Sequence, residues 1–305
     1  MASPAPIEGH IAVTPLSELG PDVYANDKPL ASQEGVRSVF GGFLVAQAVS
    51  AASTTVPNGF RLYSSQSSFL APANGDDKVT YRIDRTADGK SYCTRVVRAT
   101  QGEACVYAAI ISFQKNISRP AGNVLQYGTP MPDLEGTGPD DISTAAIQEM
   151  QNSTIDRSAP LMQLSAEDRP LDWRPLGMEI SDDPSQFWIR GFVRSPPLST
   201  DDPLVHLAAF AYMSDEFSFG PALLANPKAA GKGMRNVAMG ASLTHNVSFH
   251  DPRARVDEWT VLERKTSWGG ESRVHVSQRM WNMKTGKLVM SGTQEALIRL
   301  KGHKL

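Results

Sequence analysis

Two kinds of residue in this chain stand where chemistry could use them: glycines opening an apolar helix, and single polar groups inside apolar runs. Gly41 and Gly42 open the run FGGFLVAQAVSAASTTV at 40–56. Glycines at a helix start let a ligand approach backbone N–H groups at the positive end of the helix dipole, and equally let the helix pack closely on its surroundings. Asp215 follows a second apolar run within DDPLVHLAAFAYMSDEF at 201–217. A partly buried carboxylate there can polarise a water, whereas a solvated one would be an ordinary turn residue. Gln294 stands in a stretch of otherwise apolar and small residues, so it needs hydrogen-bond partners in the core.

The commoner chemistries have no sequence basis: no GxSxG elbow, HExxH or P-loop is present. Cys93 and Cys105 lie outside any CxxC or Cys/His ligand spacing and read as reduced packing residues. His245 and His250 sit in or beside one strand. A lone strand histidine is more often packed and hydrogen-bonded than catalytic, so neither joins the candidate catalytic set.

The elements that must position these groups come from the wider pattern. The chain has 305 residues, 41% of them hydrophobic, which is enough to fill packed cores without disulfides or metals. Thirty basic against thirty-two acidic residues give a net charge of −2, and no basic block of five or more occurs. This excludes a nucleic-acid footprint or a polybasic membrane patch and favours small molecules or proteins as partners. No apolar run reaches the length of a membrane span, and the N-terminus lacks the pattern of a secretory signal.

SFLAP at 68–72 and SFHDP at 248–252 begin two similar stretches. Laying 68–114 over 248–294 without a gap gives nine identities, among them Ser68/Ser248, Pro72/Pro252, Gly89/Gly269 and Gln114/Gln294, against roughly three expected by chance. In each copy a strand ends at the proline and three β-rich runs follow, the last two joined by a Gly-bearing turn. The reading is a four-stranded antiparallel meander in each half. Ahead of each lies one of the two apolar helices, and Asp201 or Asp202 with Pro203 suits the start of the second. A helix apolar on nearly every side must be buried all round, as inside a curved sheet. The expected fold is α+β, two antiparallel sheets each wrapped around a long central helix. Residues 1–115 form the first unit, 116–180 an exposed linker rich in Pro, Gly, Ser and Asp with one short helix (DISTAAIQEMQN), and 181–305 the second. The units should join edge to edge.

At this point particular motifs carry a resemblance. RSVFGGFLVAQAVSAA, SSFLAP, FWIRGFV, AYMSDEFSFGPALL, ASLTHNVSFHDP and DEWTVLE with GTQEALIR are similar, in order and spacing, to signatures of the acyl-CoA thioesterase II family, which has bacterial and peroxisomal members. The resemblance runs from about residue 15 to 300 and implies a double hotdog. It implies hydrolysis of an acyl-CoA thioester to free acid and CoA by a water held between an Asp, a hydroxyl residue and a Gln. Those positions map to Asp215, Ser242 and Gln294, without a metal or redox cofactor. Ser242 stands where the family usually has Thr.

Gly41 and Gly42 become candidates to receive the thioester oxygen. Gln66 and Tyr63 replace histidines, Ala71 an arginine and Thr244 an aspartate of the family pattern, near where acyl group and CoA are expected; Gln66 is therefore a substrate-binding candidate. The first helix has no counterpart of Asp215, so one site per chain is expected, in the second unit. Loss of the arginine keeps open release of an acyl or polyketide chain from a carrier protein, and a non-hydrolytic acyl-binding or cyclising role is a further alternative. The terminal HKL resembles the SKL peroxisomal address with His in place of Ser, and a cytoplasmic location is the alternative. Whether chains associate further into a homo-oligomer is left open by these residues.

Overall fold

The computed structural model describes residues 4–30, 38–116, 124–143, 145, 170–231 and 234–302. Its strands are β1 (Val13–Pro15), β2 (Val23–Asn26), β3 (Phe60–Phe69), β4 (Thr80–Asp88), β5 (Tyr92–Gln101), β6 (Ala104–Lys115), β7 (Asp172–Glu179), β8 (Trp188–Arg194), β9 (Val237–Phe249), β10 (Thr260–Gly270), β11 (Arg273–Asn282) and β12 (Leu288–Leu300). The helices used below are α1 (Pro6–Ile11), α2 (Gly41–Ser53) and α3 (Pro203–Asp215). All twelve strands form one sheet in the order β1-β2-β4-β5-β6-β3-β9-β12-β11-β10-β8-β7.

Each half repeats one arrangement, β4-β5-β6-β3 and β10-β11-β12-β9. This corrects the expected meander: the first strand of each copy pairs with the last, β3 with β6 and β9 with β12. Curling the sheet round its helix brings those two strands together, and β3 and β9 then supply the edges that join the halves. Across that seam Gln66 pairs with Asn246, its own repeat mate at the 180-residue offset that relates Ser68 to Ser248. The joint is therefore isologous, as between two subunits of a dimer, and it removes two exposed edges.

Both central helices are enclosed as their composition demands. In α2 every residue from Gly42 to Ser53 except Ser50 is buried, including Phe43, Leu44, Ala48 and Ala51. Full burial of each large side chain contributes roughly 1.5–3 kcal/mol. Asp202 caps α3, its side chain accepting from Leu204 N at 2.9 Å, and Pro203 occupies the first turn. From His206 to Asp215 that helix is buried without interruption. The chain leaves α3 through an extended Glu216 and a left-handed Phe217 at φ 52.

Three departures concern the margins. Strands β1 and β2 extend the first half, and so short a stretch carries little periodicity. Strand β7 lies within 116–180 and pairs with β8, so the second unit begins inside the segment read as linker. Part of that segment is also packed rather than exposed: Met131, Leu134 and Ile142 lie against Phe192, Val261 and Trp281, and Trp281 Nε1 donates to Thr129 O at 2.8 Å. The short helix expected at 141–152 falls almost wholly outside the described residues, as does the terminal HKL. Cys93 is buried, Cys105 half-buried, and both are free thiols. Among the described residues no helix is long and apolar enough to cross a membrane.

Candidate active site

Ladder partners share a face of the sheet, so the pairing decides which side chains can meet. Ser67, His245, Gln294 and Val276 make one row turned toward the helices. The next row is Ser65, Val247, Gly292, Gln278 and Arg264. The last turn of α3 comes down on these rows at their polar members.

Asp215 ends α3 with 4% of its surface exposed. Its Oδ1 accepts from Gln294 Nε2 at 2.8 Å, and the hydroxyls of Ser218 and Ser242 lie at 3.4 and 3.5 Å. Gln294 Nε2 also donates to Ser242 Oγ at 2.6 Å. The structure thus brings together Asp215, Ser242 and Gln294, which are 79 residues apart at the extremes. Gln294 Oε1 is buried without a hydrogen-bond partner among the described residues. Burial pushes the Asp215 carboxyl up to about 6, against the opposing pull of the Gln294 amide, the Arg264 charge and the two serine hydroxyls.

Gly41 meets this cluster from the other half of the molecule. A Cβ there would lie 2.6 Å from Asp215 Oδ2 and 2.7 Å from the Phe69 ring, so only glycine leaves the carboxylate where it is. Gly42 serves a different end: its Cβ would run into the Phe40 ring and meet Tyr212 O at 2.8 Å, so its absence lets α2 lie against α3. At both residues the structure shows the close-packing reading of the glycine pair. Phe40, at the N-cap of α2, provides no side-chain cap, and the first N–H groups of a helix have no partner within it.

Gln66 is not brought to this cluster. It shares its row with Asn246 and Thr293, which is the opposite face of the sheet from Gln294. There it lines an open polar groove of about 310 Å³ with Ser64, Asn246, Ser277 and Arg279. Tyr63 is likewise exposed, stacked edge-on against Tyr92. Gln114, aligned with Gln294, is exposed and bonds Tyr92 Oη at 3.3 Å. The residue in the true counterpart position is Ile111, which pairs with Ser65, the repeat mate of His245. An apolar side chain there agrees with one site per chain.

Beneath the site, His245 is packed and hydrogen-bonded as its sequence reading has it, whereas Ser214, Gln278 and Arg264 were missed. Ser214 Oγ donates to Ala211 O at 2.7 Å and therefore accepts from His245 Nε2 at 3.0 Å. Burial, then the Arg264 charge, push His245 down to about 4, so it is neutral at pH 7 with its proton on Nε2. Gln278 Nε2 donates to Ser214 O at 2.7 Å, and Arg264 donates to Gln278 Oε1 at 3.3 Å and Met213 O at 3.4 Å. The signal was available: Arg264 follows Leu262 and precedes Thr266 in the inward phase of β10, where a charge is out of place.

Comparison with known proteins identifies the family of the chain. The family model described as the acyl-CoA thioesterase N-terminal domain matches residues 31–114, and that of the C-terminal domain matches 141–298. Human acyl-coenzyme A thioesterase 8 is 27% identical over 275 residues, covering 87% of this chain and 82% of that protein. The yeast peroxisomal acyl-coenzyme A thioester hydrolase 1 is 23% identical, covering 93% and 92%. Among solved structures an acyl-CoA thioesterase II from Mycobacterium marinum superposes with a TM-score of 0.74 at 23% identity, covering 97% of this chain and 99% of that one. Two family domains in order, joined as two hotdogs through one sheet, make this chain a member of the acyl-CoA thioesterase family.

Proposed function

We propose that the chain hydrolyses acyl-CoA thioesters to free acid and CoA with a water activated by Asp215 and oriented by Ser242 and Gln294. The observation that carries this reading is the buried contact of Asp215 Oδ1 with Gln294 Nε2, itself tied to Ser242 Oγ. Oδ1 is engaged by these groups, which leaves Oδ2, on the Gly41 side, to take a proton from the attacking water. Gln294 Oε1, buried and without a partner among the described residues, can accept that water's second hydrogen. The thioester carbonyl then lies toward the start of α2, where the N–H groups of Gly41 and Gly42 and the positive helix end face developing negative charge.

Attack forms the new C–O bond, and collapse of the tetrahedral adduct breaks C–S. The proton held by Asp215 passes to the departing thiolate, which returns the carboxylate to its starting form. A base near pH 6 is suited to this cycle because it both accepts and gives up a proton at neutral pH. Free-thiol release from acyl-CoAs running from acetyl to long-chain tests the reading. Release from at least one is expected, and release from none would overturn it.

The yeast relative is named as peroxisomal, and HKL at 303–305 resembles the SKL peroxisomal address with His in place of Ser. We infer import into that compartment. A fluorescent fusion should redistribute when the three residues are deleted, and an unchanged distribution would sink the inference.

A further inference from the structure

Each central helix ends on a buried arginine, but the two are balanced differently. At the end of α2, Arg95 donates to Thr55 O at 3.0 Å and to the carboxylate of Asp88 at 2.6 Å. At the end of α3, Arg264 is 5% exposed, and its hydrogen bonds among the described residues go to neutral acceptors, Gln278 Oε1 and Met213 O. Burying a cation without a directly bonded carboxylate is costly, and such a charge is kept only where something nearby gains from it. The negative end of α3 is one such feature, and the carboxylates of Asp215 and Glu216 are the others.

We propose that Arg264 is a positioning residue for the hydrolysis: with Gln278 it ties the last turn of α3 to β10 and β11, and its fixed charge keeps Asp215 in the ionised form that accepts a proton. Three bonds define the tie, Arg264 to Met213 O, Arg264 to Gln278, and Gln278 to Ser214 O, so the two residues before Asp215 are held by the same pair that brings the charge.

The groups facing Asp215 from the packed elements leave Arg264 as the stabilising charge. Tyr212 on α3 and Tyr107 on β6 are both held neutral by burial, and His245 on β9 is neutral at pH 7. Gln294 on β12 and Ser242 on β9 are uncharged, and α2 presents Gly41 at its positive end, a partial charge common to wild type and every Arg264 variant. His10 of α1 lies against the ring of Tyr212. Glu216, next in the chain, faces Arg264 as a second acidic group. Arg264 lowers the Asp215 value against the larger effect of burial.

The inference rests on Asp215 being the base. Its test is the pH dependence of kcat/KM for wild type, Arg264→Met, Arg264→Gln and Arg264→Lys, with Asp215→Asn as reference and melting curves to establish folding. Removing the charge should move the acid limb upward by about one pH unit, whereas Lys should leave it within about 0.3 unit of wild type. If the Met variant does not fold, Gln against Lys decides. Acid limbs that coincide in wild type, Lys and Gln, whatever the change in kcat, would leave only a structural role and overturn the inference. Full activity in Asp215→Asn would overturn it differently, by removing the base on which it rests while leaving the Arg264 limbs to be explained by another group.

Discussion

Replacing Asp215 by Asn should make the protein more stable at neutral pH while removing its activity. Asp215 is buried, and burial lifts its carboxyl from an ordinary 3.8 to about 6. A shift of roughly two units corresponds to about 3 kcal/mol of preference for the protonated form in the folded state. The sign follows from the folded value lying above the unfolded one. The contribution of this group to stability is complete below pH 4 and is lost as pH rises through about 6. Asn does not titrate, and its oxygen can still accept from Gln294 Nε2 and the two serine hydroxyls. The variant should therefore match wild type near pH 4 and exceed it at pH 7.5 by up to about 3 kcal/mol, or about 6 °C in melting midpoint for a chain of this size. Paired thermal melts of the two proteins from pH 4 to pH 8 read this directly, since all other titrating groups are common to both. A wild type as stable as the variant at both ends of the range would refute the reasoning, because the carboxylate would then bear no cost of burial. The same group should set the acid limb of wild-type kcat/KM near pH 6.

Other outcomes follow from particular contacts. Ser242→Ala removes the acceptor 2.6 Å from Gln294 Nε2 and should lower kcat about tenfold, whereas Ser242→Thr, which keeps the hydroxyl, should stay near wild type in the same thiol-release assay. Gly41→Ala puts a methyl group where Asp215 Oδ2 and the Phe69 ring now lie, so kcat should fall roughly a hundredfold with the fold retained; a loss under twofold would contradict the close approach. Gln66→Ala, on the outer face of the sheet, should leave kcat and KM within about twofold, and a tenfold rise in KM would return Gln66 to the substrate site.

Much of this architecture was legible before any coordinates. The all-round apolar character of 40–56 and 201–217 announced enclosed helices, and the ungapped repeat announced two copies of one sheet. Period-two patterning says which residues alternate, however, and not which strands pair, so the closure of β3 on β6 and of β9 on β12 stayed hidden behind a meander. Unequal connections had a similar effect on side chains. Ser65 and its mate His245 are 180 residues apart, but their ladder partners Ile111 and Gln294 are 183 apart, so Gln114, which aligns with Gln294 in the ungapped sequence, stands three residues past the true counterpart and faces the other way. Gln66 was placed near substrate by likeness to a motif, but the row it shares with Asn246 turns outward. Asp215, Ser242 and Gln294 were found through family likeness, since nothing in their spacing foretells a meeting across three elements. Arg264 and Gln278 needed only the strand phase to be noticed, and were passed over because strands were read for their apolar members.

The most direct measurement is thiol release by Asp215→Asn and wild type side by side, on whichever acyl-CoA the wild type turns over fastest. Asn fills the same space and keeps the bond from Gln294, so the comparison isolates the proton-accepting carboxylate. The account predicts a fall of at least about a hundredfold in kcat with KM little changed. A variant within a few-fold of wild type would contradict it, and would show that some group other than Asp215 activates the water.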